Sequence, residues 1–244
     1  MLATMHLEIE HSEQTLNYNA SSLFHGIIME RVASTYANEL HESQVNPFSQ
    51  FVQAISPRRS VWHVRTLNEE AYENIILPLS QTNELYLRQR GQTIKITGTT
   101  IEKTSYSEMI ASEYERTPRK IFRIQLHSPM TFKIKDEYQI FPDLYYIFRN
   151  LMNRFDAFSP EVQLYDQEAL THLREHTAIV EYKLRTTRFY LEKTTIPAML
   201  GEMKVKVNGG TNMQHLVGLL LQYAQYSGIG IKTSLGMGGC EIIH

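Results

Sequence analysis

Three features of the 244-residue sequence predict an α+β fold built of two tandem ferredoxin-like (RRM-like) units with antiparallel sheets. A β-α-β-β-α-β order of patterns occurs twice, Thr117-Pro118 interrupts the chain between the two rounds, and a glycine-rich loop lies between the last helix and the last strand. A chain of this length can bury two cores of ordinary size, and we place the units at 1–117 and 118–244.

The first round opens with the alternating Met5–Ile9, a strand pattern. Ser21 or Ser22 can cap the next segment, where Phe24, Ile28, Val32, Tyr36 and Leu40 form an i, i+4 stripe that predicts one continuous helix with Tyr36 in the core. Phe51–Ile55 and Val61–Arg65 bracket a Ser-Pro-Arg-Arg-Ser turn and read as a hairpin. Asn68 caps a short helix through Leu79, and strands follow near Leu85–Leu87 and Ile94–Ile101. The second round comprises a strand at Ile121–Leu126, a helix from Pro142 to about Phe155, strand-like segments at Ile179–Leu184, Arg188–Glu192 and Met203–Val207, a helix at Met213–Tyr226 and a final strand at Cys240–Ile243.

Five glycines fall within Gly228–Gly239, around the single Lys232. Glycines clear side chains from a loop, and a cleared, cationic loop invites a phosphate backbone; a structural turn packed on a sheet is the alternative. The loop follows a helix and precedes a strand, the reverse of a dinucleotide fingerprint, and Ile231 stands where a P-loop needs glycine. A larger anionic ligand, RNA first, is the expected partner.

Hydrophobic residues at 42% and charged residues at 20% fit a globular protein, and no apolar run approaches the ~20 residues of a membrane span. One cysteine excludes an internal disulfide and a cysteine-clustered zinc site, so a cytoplasmic location and no metal or other cofactor are expected. The net charge of −2 conceals blocks: residues 58–135 carry thirteen Lys/Arg against eight Asp/Glu, and 183–206 carry six against two. Basic blocks can track phosphates on a nearly neutral molecule. Candidate RNA contacts beside the loop's Gly228, Gly230, Lys232, Gly236 and Gly238 are Arg58, Arg59, Lys133, Lys135, Lys183, Arg185, Arg188, Lys204 and Lys206. Alternate strand residues share a face, which pairs Lys204 with Lys206 and Lys183 with Arg185. Trp62, between strand valines, reads as core, with base stacking the alternative. His172-Leu-Arg-Glu-His176 matches a zinc-peptidase spacing, but no third ligand is evident and a solvated helix is the plainer reading.

Several segments together resemble the CRISPR-associated endoribonucleases of Cas family six, members of the RAMP superfamily, over most of the chain. They are Leu126-His-Ser-Pro-Met-Thr-Phe-Lys133, Phe141-Pro-Asp143, Phe155-Asp-Ala-Phe-Ser-Pro160, the loop through Gly238, and Leu40-His-Glu42 followed by Asn46-Pro-Phe-Ser49. The resemblance implies an endoribonuclease that cuts precursor CRISPR RNA within its repeats, and it makes His41 the candidate catalytic acid or base. The alternative is a non-catalytic subunit that holds guide RNA in an effector complex. Such a complex, receiving the product, and a second copy of the chain are the further partners it allows.

Two departures stand out: Met29 where some members have tyrosine, and Asn46 where they have lysine. Without the resemblance, His41 would read as a helix C-terminal residue satisfying carbonyls. Metal-free cutting needs the 2′-OH to attack phosphorus in line, with an imidazole moving the proton and a cation, for which Lys232 is the candidate, beside the phosphoryl oxygens. His25 lies sixteen residues before His41. Along a continuous helix that is about 24 Å and about 160°, so the two are expected not to share a phosphate.

Overall fold

The computed structural model describes residues 1–11 and 15–243. In the N-terminal unit, β1 (Leu2–Glu10) leads into α1 (Ser21–Arg31) and α2 (Ser34–Glu42), followed by β2 (Phe48–Ser56) and β3 (Arg59–Thr66). The helical return is α3 (Glu69–Ala71) and α4 (Leu77–Ser80), joined by a π-helical turn, and then come β4 (Glu84–Leu87) and β5 (Gln92–Thr104). The sheet order is β2-β3-β1-β5-β4, with antiparallel neighbours throughout. Helix α5 (Tyr106–Glu115) connects this sheet to the next unit.

The C-terminal unit repeats the plan with β6 (Ile121–Leu126), a small hairpin of β7 (Phe132–Ile134) and β8 (Glu137–Gln139), helices α6 (Leu144–Phe158) and α7 (Gln167–His176), strands β9 (Thr177–Tyr190) and β10 (Thr195–Val207), helix α8 (Thr211–Ser227) and β11 (Cys240–Ile243). Its antiparallel order is β11-β6-β10-β9. In both units the first and third strands are central and the returning last strand flanks the first, which is the ferredoxin-like arrangement. Among the described residues no helix is long and apolar enough to cross a membrane.

The predicted stripe on the first helical segment is buried throughout, with Phe24, Ile28, Val32, Tyr36 and Leu40 all under 10% exposed. Each such apolar side chain contributes about 1.5–3 kcal/mol by leaving water. The helix is nevertheless not continuous. Val32 and Ala33 are extended (ψ 151° and 144°), so the chain turns between α1 and α2 while both halves keep their apolar sides on the sheet. Three strand-like segments also proved to be one long hairpin: β9 and β10 pair from Thr195↔Tyr190 to Val207↔Thr177.

Candidate active site

The turn between α1 and α2 overturns the expectation that His25 and His41 lie far apart. Together they line one cavity of about 290 Å³, with Met29, Leu40, Ser43, Asn46, Ser234 and Leu235. His25 is held. Its Nδ1 is 3.1 Å from the Ser234 carbonyl oxygen, which can only accept, so Nδ1 carries the proton and Nε2 keeps its lone pair. The ring lies parallel to Phe48 at 5.9 Å. Burial drives its pKa below the usual 6.5, partly opposed by the bond to Ser234, and the nearby His41 lowers it further. His41 is exposed in the last turn of α2, and its side chain makes no hydrogen bond with any described residue. The reading in which it satisfies helix carbonyls does not apply.

The glycine loop closes this cavity from the C-terminal unit. Asn46, Ser234 and Leu235 also line an adjoining cavity of about 330 Å³, along with Asn150, Arg154, Gly230 and Lys232. Lys232 is exposed and holds a left-handed conformation at φ 55°. A non-glycine residue in that region costs of order 1–3 kcal/mol, so the surrounding packing holds it there. Arg154 is buried on α6, donating from Nη1 to Thr233 Oγ1 at 2.7 Å, and it makes no ion pair with a described carboxylate. Asn46 donates from Nδ2 to Ser234 Oγ at 3.2 Å. Met29 and Asn46, the two departures from the family pattern, thus both line the histidine cavity.

The glycines do a different job from the one expected. Gly228, Gly230, Gly236 and Gly238 are buried, and the space a side chain would fill is occupied by protein. A Cβ on Gly236 would sit 2.1 Å from that of Ser21 in α1, and one on Gly238 would sit 2.0 Å from the Ile229 carbonyl oxygen. The loop's glycines thus serve its packing on the protein, the alternative the sequence offered for them. Lys232 is the exposed cation the loop offers to the adjoining cavity.

The remaining basic candidates lie away from the histidines. Arg58 and Arg59 are exposed at the β2–β3 turn, Arg59 pairing with Glu8 at 3.2 Å. Lys133 pairs with Asp136 across the β7–β8 turn. On the β9–β10 hairpin Lys204 meets Glu181 at 2.7 Å and Lys183 meets Glu202 at 3.5 Å, while Lys206, Arg185 and Arg188 make no ion pair with a described residue. Exposed pairs of this kind are worth about 0–1 kcal/mol and yield easily to a phosphate. Replacing Lys204 and Lys206 with Ala is expected to flatten the salt dependence of RNA affinity, by about 0.7 in log–log slope for each single-strand phosphate that is no longer neutralised. An unchanged slope would take both lysines out of the RNA path.

Three further candidates resolve plainly. Trp62 is fully buried, edge-on to Phe24 at 4.9 Å, and cannot stack a base. Tyr36 is core, with its hydroxyl pKa raised by burial. His172 and His176 stack on α7 at 4.3 Å, and among the described residues no group of three His, Cys, Asp or Glu is placed to hold a metal.

The sequence reading missed two buried arginines. Besides Arg154, Arg65 on β3 lies in a cleft of about 440 Å³ between the sheets, with Nε and Nη1 unpartnered and its guanidinium over Phe51 at 5.0 Å. Arg154 interrupts the otherwise apolar buried stripe of α6, and that was the available signal, whereas β3 also buries Ser60 and Thr66, so Arg65 leaves no such signal.

A family model described as CRISPR-associated endoribonuclease Cas6 matches residues 124–240. The Cas6 of Streptococcus thermophilus is 30% identical over 235 residues, covering 96% of this chain and 94% of the relative. A Mycobacterium tuberculosis Cas6 is 26% identical over 220 residues, covering 89% and 70%. A Thermus thermophilus Cas6 solved as a product complex superposes with a TM-score of 0.81 at 22% identity, covering 100% of this chain and 99% of the other. A second Cas6, solved with a substrate mimic, gives 0.75 at 20%, covering 99% of each. Identity over nearly the whole length, together with two ferredoxin-like units meeting at a glycine loop, shows that the chain belongs to the Cas6 family of CRISPR-associated endoribonucleases.

Proposed function

We propose that the chain cuts precursor CRISPR RNA within its repeats by attack of a 2′-OH on the adjacent phosphorus. The observation that carries this reading is the shared cavity of His25 and His41, closed by the loop that bears Lys232. His25, neutral and with Nε2 unprotonated, takes the proton from the 2′-OH. O2′ bonds to phosphorus as the P–O5′ bond breaks, and His41 gives its proton to the leaving O5′. The products are a 2′,3′-cyclic phosphate and a 5′-OH, and the two imidazoles reset by exchanging protons with solvent. Lys232 stands beside the phosphoryl oxygens as negative charge builds on them. The guanidinium of Arg154, which makes no ion pair with a described carboxylate, supplies buried positive charge for RNA at the adjoining cavity, whereas that of Arg65 shares its cleft with Glu102 and Glu241.

Incubating the protein with repeat RNA in excess EDTA is the direct test. Site-specific cleavage is expected to continue, and a 2′-deoxy nucleotide immediately upstream of the cut is expected to bind and remain intact. Binding without cutting in the presence or absence of metal would favour a non-catalytic guide-RNA subunit. Cleavage of the deoxy substrate would rule out 2′-OH attack.

A further inference from the structure

Gln50, on β2, is 1% exposed and its amide has a single sensible orientation. The Trp62 indole Nε1 donates to Oε1 at 2.9 Å, and an indole N–H has no acceptor role. Nε2 must therefore lie on the other side, where it donates to the Ser21 carbonyl at 2.9 Å and the Ser234 carbonyl at 3.0 Å. The Ser234 oxygen is the same atom that receives Nδ1–H of His25 at 3.1 Å. Its two lone pairs are thus filled by Gln50 and His25.

We propose that Gln50 is the positioning residue for the His25 base: clamped by Trp62 and Ser21, it fixes the Ser234 carbonyl, which in turn fixes the tautomer and orientation of the His25 ring. The proposal rests on the reading of His25 as base. Its physical basis is that a free loop carbonyl could rotate away and leave either ring nitrogen of His25 protonated. A carbonyl already tied to a buried amide cannot rotate without orphaning that amide, which disfavours the movement. One chain of bonds thus runs from the N-terminal core, through the seam, into the cavity. The cavity lining contains no carboxylate or lysine, and His41 is the titratable neighbour of His25 within it.

Two variants test this with readouts that a purely structural role would not move. Histidine 15N NMR of the free protein reads the tautomer directly: wild type is expected to show His25 protonated at Nδ1 alone. Gln50→Met is expected to show a mixture of tautomers and to cut roughly 10- to 100-fold more slowly under single turnover, the scale of a misplaced catalytic group, with RNA affinity kept.

Gln50→Glu keeps the acceptor for Trp62 and nearly the same shape, so it covers the case in which the methionine variant does not fold. Its second oxygen has no N–H to offer the Ser21 and Ser234 carbonyls, so the introduced carboxylate repels the Ser234 carbonyl away from the ring and, as a nearby negative charge, favours the His25 imidazolium. The acid limb of kcat/KM, which reports the free enzyme and is expected below the usual histidine range in wild type because burial lowers the His25 pKa, should therefore move to higher pH. A single Nδ1–H tautomer and wild-type rate in Gln50→Met, or, where that variant does not fold, the same result with an unmoved limb in Gln50→Glu, would overturn the proposal. If the tautomer responds as expected while His25→Ala cuts at the wild-type rate, the positioning by Gln50 stands and the catalytic reading of His25 falls.

Discussion

His41→Ala is expected to slow single-turnover cleavage by roughly 10²- to 10⁴-fold with little change in RNA affinity, the usual scale for removing one general acid or base. His25→Ala should fall in the same range, because the α1–α2 turn brings both imidazoles to one cavity. In the proposed mechanism the two act in a single proton relay, and the double variant is therefore expected to lose far less than the product of the separate losses. Gel-shift affinities together with rates at saturating enzyme separate binding from chemistry. Wild-type cleavage by His41→Ala would remove the proposed acid and send the search elsewhere in the cavity.

The second large effect is on stability. Gly236→Ala introduces a Cβ at φ 112°, a conformation L residues rarely adopt, 2.1 Å from the Cβ of Ser21. Ser21 cannot simply step aside, because its Oγ accepts from the Val52 N–H at 3.0 Å and its carbonyl accepts from Gln50. Strain of about 1–3 kcal/mol and overpacking of a similar size together predict a midpoint lowered by roughly 5–20 °C, and cleavage lost with it. Gly236→Glu, which adds a buried charge, should be worse. Gly210→Ala, where φ is −67° and nothing lies within 4 Å, is the matched control and should change stability by less than about 1 kcal/mol. A Gly236→Ala protein melting with wild type would show that α1 and the loop are not packed as described.

Much of the architecture could be read from the chain because strand alternation and turn residues are local. β6 and β11 occupy the residues expected, and Asn68 does cap its helix through Ala71 N–H. Helix α5 could have been found as well: Ser105 and Glu108 form a reciprocal capping box, a pattern visible in the sequence. The break between α1 and α2 was hidden for a physical reason. Residues on both sides of it face the same sheet, so the apolar stripe runs on unbroken, and neither Val32 nor Ala33 is a glycine or proline. That one hidden turn decided whether His25 belonged to the site.

The glycine loop shows the other limit. Five glycines announce close approach, but whether protein or RNA does the approaching depends on Ser21, Thr131 and Phe51, all distant in sequence. Gln50 reads locally as an ordinary polar residue of a strand. Its role exists only once the last loop brings the Ser234 carbonyl to it.

The composite cavity also orders events in time. Translation delivers His25 and His41 early and the 228–239 segment late, and the N-terminal unit has its own core on which to fold meanwhile. Until the loop is synthesised and seats against α1, the Ser234 carbonyl that orients His25 is absent and Lys232 is not at the adjoining cavity. On the proposed mechanism, a ribosome-bound chain therefore carries both imidazoles unarmed, and nuclease competence is expected only with the docking of the second unit.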